Sequence, residues 1–193
     1  HKTQLRKRLT HSKVPDCRIP PDISHVDLAF SYKGLLSQGK SDFDHIEPFR
    51  EEDFFAMALD IEDVPSSATL RQRLNKAASH AGWETILLEE SASLLRNLGV
   101  TLTPVILGSP GKERRYLPLD VDVSPFDNSF TKKEGVSRTY KGYDGYAPIF
   151  AYLGKEGYVV HTELRTGSTH SQKGTPEFLK QAILYAKQVS TSR

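Results

Sequence analysis

One change of period constrains this chain more than any other feature. Upstream of Gly99, apolar residues return every three or four positions, as in Leu70, Leu74, Ala77 and Ala78, or Ile86, Leu87, Leu94 and Leu95. Downstream they alternate or run together, as in Leu119–Val123 and Ala147–Leu153. The first pattern gives one apolar stripe on a helix and the second gives the faces of a sheet. Their separation into consecutive blocks predicts an α+β fold, with a helical N-terminal part followed by strands and one closing helix. A chain of 193 residues is long enough to bury its own core without staples. Its single cysteine, Cys17, excludes an intramolecular disulfide and a four-cysteine zinc site.

Punctuation sharpens the elements. A helix is expected over Val26–Leu36, ended by Gly39. Another starts at Ser41-Asp42 and runs through Ile61, with Phe49, Phe54, Phe55, Ala58 and Leu59 at helical spacing. Val64-Pro65-Ser66-Ser67 breaks the chain and supplies an N-cap for a helix over 68–81. A further helix spans Trp83–Leu98 and stops at Gly99. Strands are expected over Thr101–Leu107, Tyr116–Val123, Ala147–Leu153 and Tyr158–Arg165, the last two joined through Gly154-Lys155-Glu156-Gly157. Thr175-Pro176-Glu177 opens the final helix. The implied organisation is a basic arm (1–24), extended or disordered, a helical domain (25–99) and a strand-rich domain (100–193).

The net charge of +2 conceals segregation. Residues 1–40 hold 8 basic and 3 acidic side chains, and residues 41–63 hold 1 basic and 9 acidic. A basic arm suits a phosphate backbone, because Lys and Arg displace condensed counterions. The plain alternative is a solvated terminus. The acidic segment is a poor DNA surface and suits a partner or a second subunit. The longest apolar run, Tyr146–Leu153, is about eight residues, too short to cross a bilayer.

Three sets of residues carry candidate chemistry. Asp120 and Asp122 in Leu119-Asp120-Val121-Asp122-Val123 share one face of a strand. Two carboxylates so close either face water or share a hard cation such as Mg²⁺, which takes oxygen ligands from one or two acids plus phosphate. His170 and Lys173 lie in the polar, Gly-bounded loop Gly167–Gly174, ahead of a helix start, where phosphate contacts and an ordinary loop are both open readings. The helix pair flanking Val64–Ser67 resembles a helix-turn-helix, with 68–81 as recognition helix. There Arg71, Arg73, Asn75 and Lys76 suit bases or phosphates, against the alternative of a solvated basic face. His161 alternates along a strand and reads as surface. Cys17 has no neighbours that make it a nucleophile.

Longer runs carry a family resemblance. Phe30-Ser31-Tyr32-Lys33-Gly34-Leu35-Leu36-Ser37-Gln38-Gly39-Lys40-Ser41-Asp42-Phe43 is one, and Val64-Pro65-Ser66-Ser67-Ala68-Thr69-Leu70-Arg71-Gln72-Arg73-Leu74 another. The longest is Leu119-Asp120-Val121-Asp122-Val123-Ser124-Pro125-Phe126-Asp127-Asn128-Ser129, followed by Lys132–Ser137 and Tyr140–Pro148. Leu164-Arg165-Thr166-Gly167-Ser168-Thr169-His170 and Lys173-Gly174-Thr175-Pro176 complete the set. Over about residues 25–190 the chain resembles the DDE transposases of bacterial insertion sequences, the group with an RNase H-like core.

That resemblance implies metal-dependent cleavage and strand transfer on double-stranded DNA, at element ends and target, with Mg²⁺ or Mn²⁺. It also implies a cytoplasmic, nucleoid-associated protein without a membrane anchor, and leaves a homodimer open. The family's first metal-binding Asp sits on the first core strand. Here that points to Asp122, next to the strand end, with Asp120 as second choice or supporting acid. The strands over 147–153 and 158–165 would be the next two, and the helix from Pro176 the first core helix. The family's second Asp and its Glu lie beyond this stretch. The expectation is therefore an N-terminal part or a decayed remnant that does not cut DNA by itself. The initial His1, with Met57 the sole methionine, agrees with a fragment.

Overall fold

The computed structural model describes residues 3–12, 22–79 and 82–190. Cys17 and the expected helix end at Ala81 lie outside them. The chain separates into two compact units, Thr3–Glu90 and Ser91–Arg193, and the division falls inside a helix.

The first unit is helical. It contains α1 (Leu5–Thr10), α2 (His25–Ser37), a 3₁₀ segment (Phe43–Glu51), α3 (Asp53–Leu59), α4 (Ser67–Ala78) and the first half of α5 (Gly82–Leu98). Ser24 and Ser66 cap α2 and α4, accepting from the backbone N–H of Asp27 and Thr69. Gly39, at φ +71°, ends the turn after α2, where Lys40 N–H reaches back to the Leu35 carbonyl at 3.0 Å. The core gathers Leu9, Val26, Leu28, Leu35, Ile46, Phe55, Leu70, Ala77 and Trp83.

Three expectations change here. Residues 5–10 form a helix rather than an extended arm. Leu9 is fully buried, and Arg8 binds Glu89 and also Glu90 on α5, the latter at 3.2 Å. The helix expected over 42–61 is split. Pro48 lacks the N–H that an α-helix needs, so its surroundings wind as 3₁₀, and extended Glu52 restarts the chain as α3. The inward face of α5 is also shifted. Trp83, Glu90 and Ala92 are buried, while Leu87 and Leu94 are exposed.

The acidic segment works inside this unit. Glu47 accepts the Ser67 N–H at 2.7 Å, at the positive end of α4, and Asp44 pairs with Arg71 at 3.6 Å. The hydrogen bonds from Ser67, then that from Arg50, hold the Glu47 carboxyl below its ordinary range.

The second unit contains eight strands and α6 (Thr175–Ser190). They are β1 (Val105–Leu107), β2 (Arg114–Tyr116), β3 (Leu119–Val123), β4 (Phe126–Asp127), β5 (Ser137–Arg138), β6 (Asp144–Tyr146), β7 (Ile149–Leu153) and β8 (Tyr158–Glu163). β1 and β2 form a two-stranded ribbon, β3-β7-β8 an antiparallel sheet, and β4-β6-β5 a smaller one. The strands expected over 101–107 and 116–123 are shorter than the apolar runs. Thr103 gives its N–H to the Glu156 carboxylate rather than to a neighbouring strand, and Pro104 and Pro118 have none to give. Ile149, Ala151 and Leu153 are buried in alternation on β7, and Phe178, Ala182, Tyr185, Ala186 and Val189 of α6 supply the other apolar layer. The architecture is α+β, helical first and strand-rich after. No helix among the described residues is long and apolar enough to cross a membrane.

Candidate active site

The site begins with strand alternation. On β3, Leu119, Val121 and Val123 are half-buried, whereas Asp120 and Asp122 are exposed. Asp120 lies opposite Tyr152 and Asp122 opposite Phe150, so both acids share a face with these rings. Asp122 sits one residue before the end of β3, and one of its oxygens accepts the Ser124 hydroxyl at 3.2 Å.

A cleft of about 670 Å³ opens at this end of β3. Asp122 stands on its wall with Arg138, Tyr140, the Gly167–Ser171 loop including His170, and Thr175 at the start of α6. Asp122 and His170, separated by 47 intervening positions in the chain, thus meet on one cavity. Asp120 and Lys173 do not line it.

The loop is braced from below by Arg165. This side chain is buried, donates to Glu163 Oε1 at 2.8 Å, and reaches the Ser171 carbonyl at 3.5 Å and Thr175 Oγ1 at 3.4 Å. Its guanidinium lies 5.7 Å from the centre of the Phe178 ring. Thr166 and Thr169 join hydroxyls at 2.8 Å, and Ser168 N–H donates to Ser137 Oγ at 2.9 Å. Gly167 is required where the loop crosses β5, since a Cβ there would stand 2.0 Å from the Ser137 carbonyl oxygen. The sequence carries no signal of this bracing role for Arg165, because its partners are set by tertiary structure. The signal at hand was the pair of glycines bounding the loop.

His161 is a correction. It is buried, not at the surface, and stacks on Phe178 at 4.5 Å and tilts against Tyr185 at 5.5 Å. Burial lowers its pKa below the ordinary histidine value, while the Glu163 charge pulls the other way. Its Nδ1 is buried without a hydrogen-bond partner among the described residues.

The candidate DNA-contact residues of α4 have varied surroundings. Arg73 turns into the first unit, bonding the Ile23 carbonyl and, at 2.8 Å, His25 Nδ1. Arg71 is committed to Asp44 and lies 5.3 Å from the centre of the Phe43 ring. Asn75 and Lys76 are exposed near the C-terminal end of α4.

The comparison with protein families resolves the class. The model of the transposase DDE domain group 1 matches residues 29–193. The chain belongs to the transposase DDE domain group 1 family. Comparison with curated proteins and with solved structures returned no match. The match takes in both β3 and the Gly167–Gly174 loop, so the cleft belongs to the family's stretch.

DDE transposases act on DNA and generally use divalent metal ions. The donors present suit such an ion in part. Asp122 offers an exposed, hard carboxylate oxygen, and Asp120 follows on the same face. Among the described residues, no group of three or more His, Cys, Asp or Glu side chains is arranged to hold a metal. One carboxylate with phosphate oxygens and water is a coordination that Mg²⁺ accepts.

Proposed function

We propose that this chain binds double-stranded DNA and presents Asp122 to a scissile phosphodiester as one ligand of a Mg²⁺ or Mn²⁺ ion. The observation that carries this reading is the cleft where Asp122 of β3 meets the braced Gly167–Ser171 loop and the start of α6. When bound, the divalent ion supplies Lewis acidity for water or 3′-hydroxyl attack at phosphorus. The chain's own residues do the positioning. Asp122 holds the cation side, with Ser124 fixing one carboxylate oxygen. His170 and the loop contact phosphate oxygens from the opposite wall, and Lys173 adds charge just beyond it. Asp120 supports the field of the strand end.

A single carboxylate on the cleft wall does not hold the two ions that an in-line displacement uses. Binding and positioning are therefore assigned to this chain, and cleavage by it alone is not expected. The exposed Asn75 and Lys76 on α4 are secondary DNA contacts; Arg71 joins them only by leaving Asp44, and Arg73 acts by holding the helix in place. This reading places the chain in the transposition of a bacterial insertion sequence, at the nucleoid.

The test titrates Mn²⁺ into the chain bound to a nicked duplex and follows water-proton relaxation. Wild type should bind Mn²⁺ and Asp122→Asn should bind it at least about tenfold more weakly, while the variant's duplex affinity in EDTA does not fall. Equal Mn²⁺ binding by both proteins would remove Asp122 from the site. Metal-dependent nicking by wild type that disappears in Asp122→Ala would overturn the assignment of binding without cleavage.

A further inference from the structure

The β1–β2 ribbon takes no part in the cleft, and its residues are almost entirely exposed. β1 pairs only with β2, in the register Val105↔Tyr116, Ile106↔Arg115 and Leu107↔Arg114. Both strands present side chains to solvent, with Ile106 at 61% and Leu107 at 59% exposure. The connecting turn is well defined. Gly108 and Gly111 take φ of +129° and +80°, and Lys112 N–H closes on the Ser109 carbonyl at 2.8 Å. The base is anchored, because Thr103 bonds Glu156 through both N–H and hydroxyl, and Leu102 is buried.

Charge decides what such a ribbon fits. Lys112, Arg114 and Arg115 lie together at its end, with Glu113 as the one acid between them. None of the three basic side chains forms an ion pair among the described residues. The register places Arg114 beside Leu107 on one face and Arg115 beside Ile106 on the other, because directly opposed residues share a face. A cation on each face, flanked by apolar side chains, suits a groove whose two walls are both lined by phosphates. The major groove of B-DNA, about 12 Å wide, admits a two-stranded ribbon. A second copy of the ribbon would bring like charges together. A water-facing surface strand has no need of so many apolar side chains.

We propose that the Val105–Tyr116 ribbon is a DNA-contact arm that enters a groove of duplex DNA, with Arg114 and Arg115 neutralising phosphates on opposite walls. Lys112 adds charge at the tip, and Ile106, Leu107 and Tyr116 pack on sugars and base edges. This rests on the reading of the chain as a DNA-binding protein, but it uses residues outside the cleft and requires no metal.

The experiment measures the affinity of the full chain for a fluorescent duplex of about twenty base pairs, in EDTA, over a salt series. Arg114→Ala/Arg115→Ala should weaken binding about tenfold or more at low salt and flatten the log–log salt slope by about two. Arg114→Lys/Arg115→Lys should keep most of the affinity and show that the ribbon still folds. If wild type binds and the alanine variant matches it in affinity and slope, the ribbon is not a contact, although the DNA reading stands. If wild type binds no duplex, both fall. If sedimentation shows a wild-type dimer that Ile106→Ser/Tyr116→Ser dissociates, a second copy covers the ribbon and the proposal is overturned.

Discussion

At the scale of single residues, two buried groups on β8 and just after it govern the platform beneath the cleft. His161 is neutral in its apolar pocket, and its pKa is lowered by burial. The unfolded chain binds its proton near pH 6.5, whereas the folded chain binds it only at lower pH. The neutral form's contribution to stability is therefore complete above about pH 6.5 and is lost as pH falls towards the lowered folded value. The groups that face it are Tyr185 on α6 and Glu163 on its own strand, and the Glu163 charge softens the effect. His161→Phe should flatten the change in urea midpoint between about pH 7.5 and about pH 5.5. An unchanged pH dependence in that variant would assign the effect to another group. Arg165 is the second such group. Arg165→Met should cost about 2–4 kcal/mol, since it strips the loop of its donors to Ser171 and Thr175 and leaves Glu163 alone. Amide exchange over 167–173 should quicken before global unfolding does, and equal protection in both proteins would show that the brace is unnecessary.

At the scale of elements, the helices that the sequence made legible are those with a local boundary signal beside their apolar residues. A stop at Gly39 marks α2, the Ser66 cap marks α4 and Thr175-Pro176 marks the start of α6, and the structure places these helices within a few residues of the expected ranges. Ser66 illustrates why. Its hydroxyl accepts the Thr69 N–H at 3.2 Å, and the motif is local, so it can be read without tertiary knowledge. Ser66→Ala should cost about 1 kcal/mol, seen as a lower melting temperature of the helical unit, while Ser67→Ala should be nearly neutral. Where stability comes from distant partners, the sequence was silent. α1 is only six residues long, and it is held by distant partners, Leu9 in the core and Arg8 on Glu89 and Glu90. The split of 42–61 and the short β1 follow from Pro48, Pro104 and an N–H diverted to Glu156, which apolar periodicity does not register. The cleft shows the same division. Asp122 was legible from strand alternation and family runs, whereas Arg138, Tyr140 and Arg165 were not, because only folding brings β5, the Gly167–Ser171 loop and β3 around one cavity.

At the scale of the whole molecule, the small net charge of +2 does not describe how the chain meets a polyanion. The acids of 41–63 are partly spent inside the first unit, on the start of α4 and on Arg71. The exposed cations of the ribbon and of the loop before α6 remain available to DNA. Two contributions to binding should then separate experimentally. The electrostatic one persists in EDTA, falls with salt, and resides in Arg114, Arg115 and Lys173. The metal-assisted one appears only with Mg²⁺ or Mn²⁺ and resides in Asp122. In EDTA, Lys173→Ala should weaken duplex binding about two- to tenfold and Asp122→Asn should not weaken it at all, since removing an acid beside phosphate lowers repulsion. Added Mg²⁺ should strengthen wild type relative to Asp122→Asn, reversing their order. Because the two sets of residues share no partner, a double variant should show the sum of the single effects within about 0.5 kcal/mol. A double-variant loss that departs from that sum by well over about 0.5 kcal/mol would instead place Lys173 and Asp122 on one phosphate, and so bring the loop before α6 to the phosphate that the metal holds.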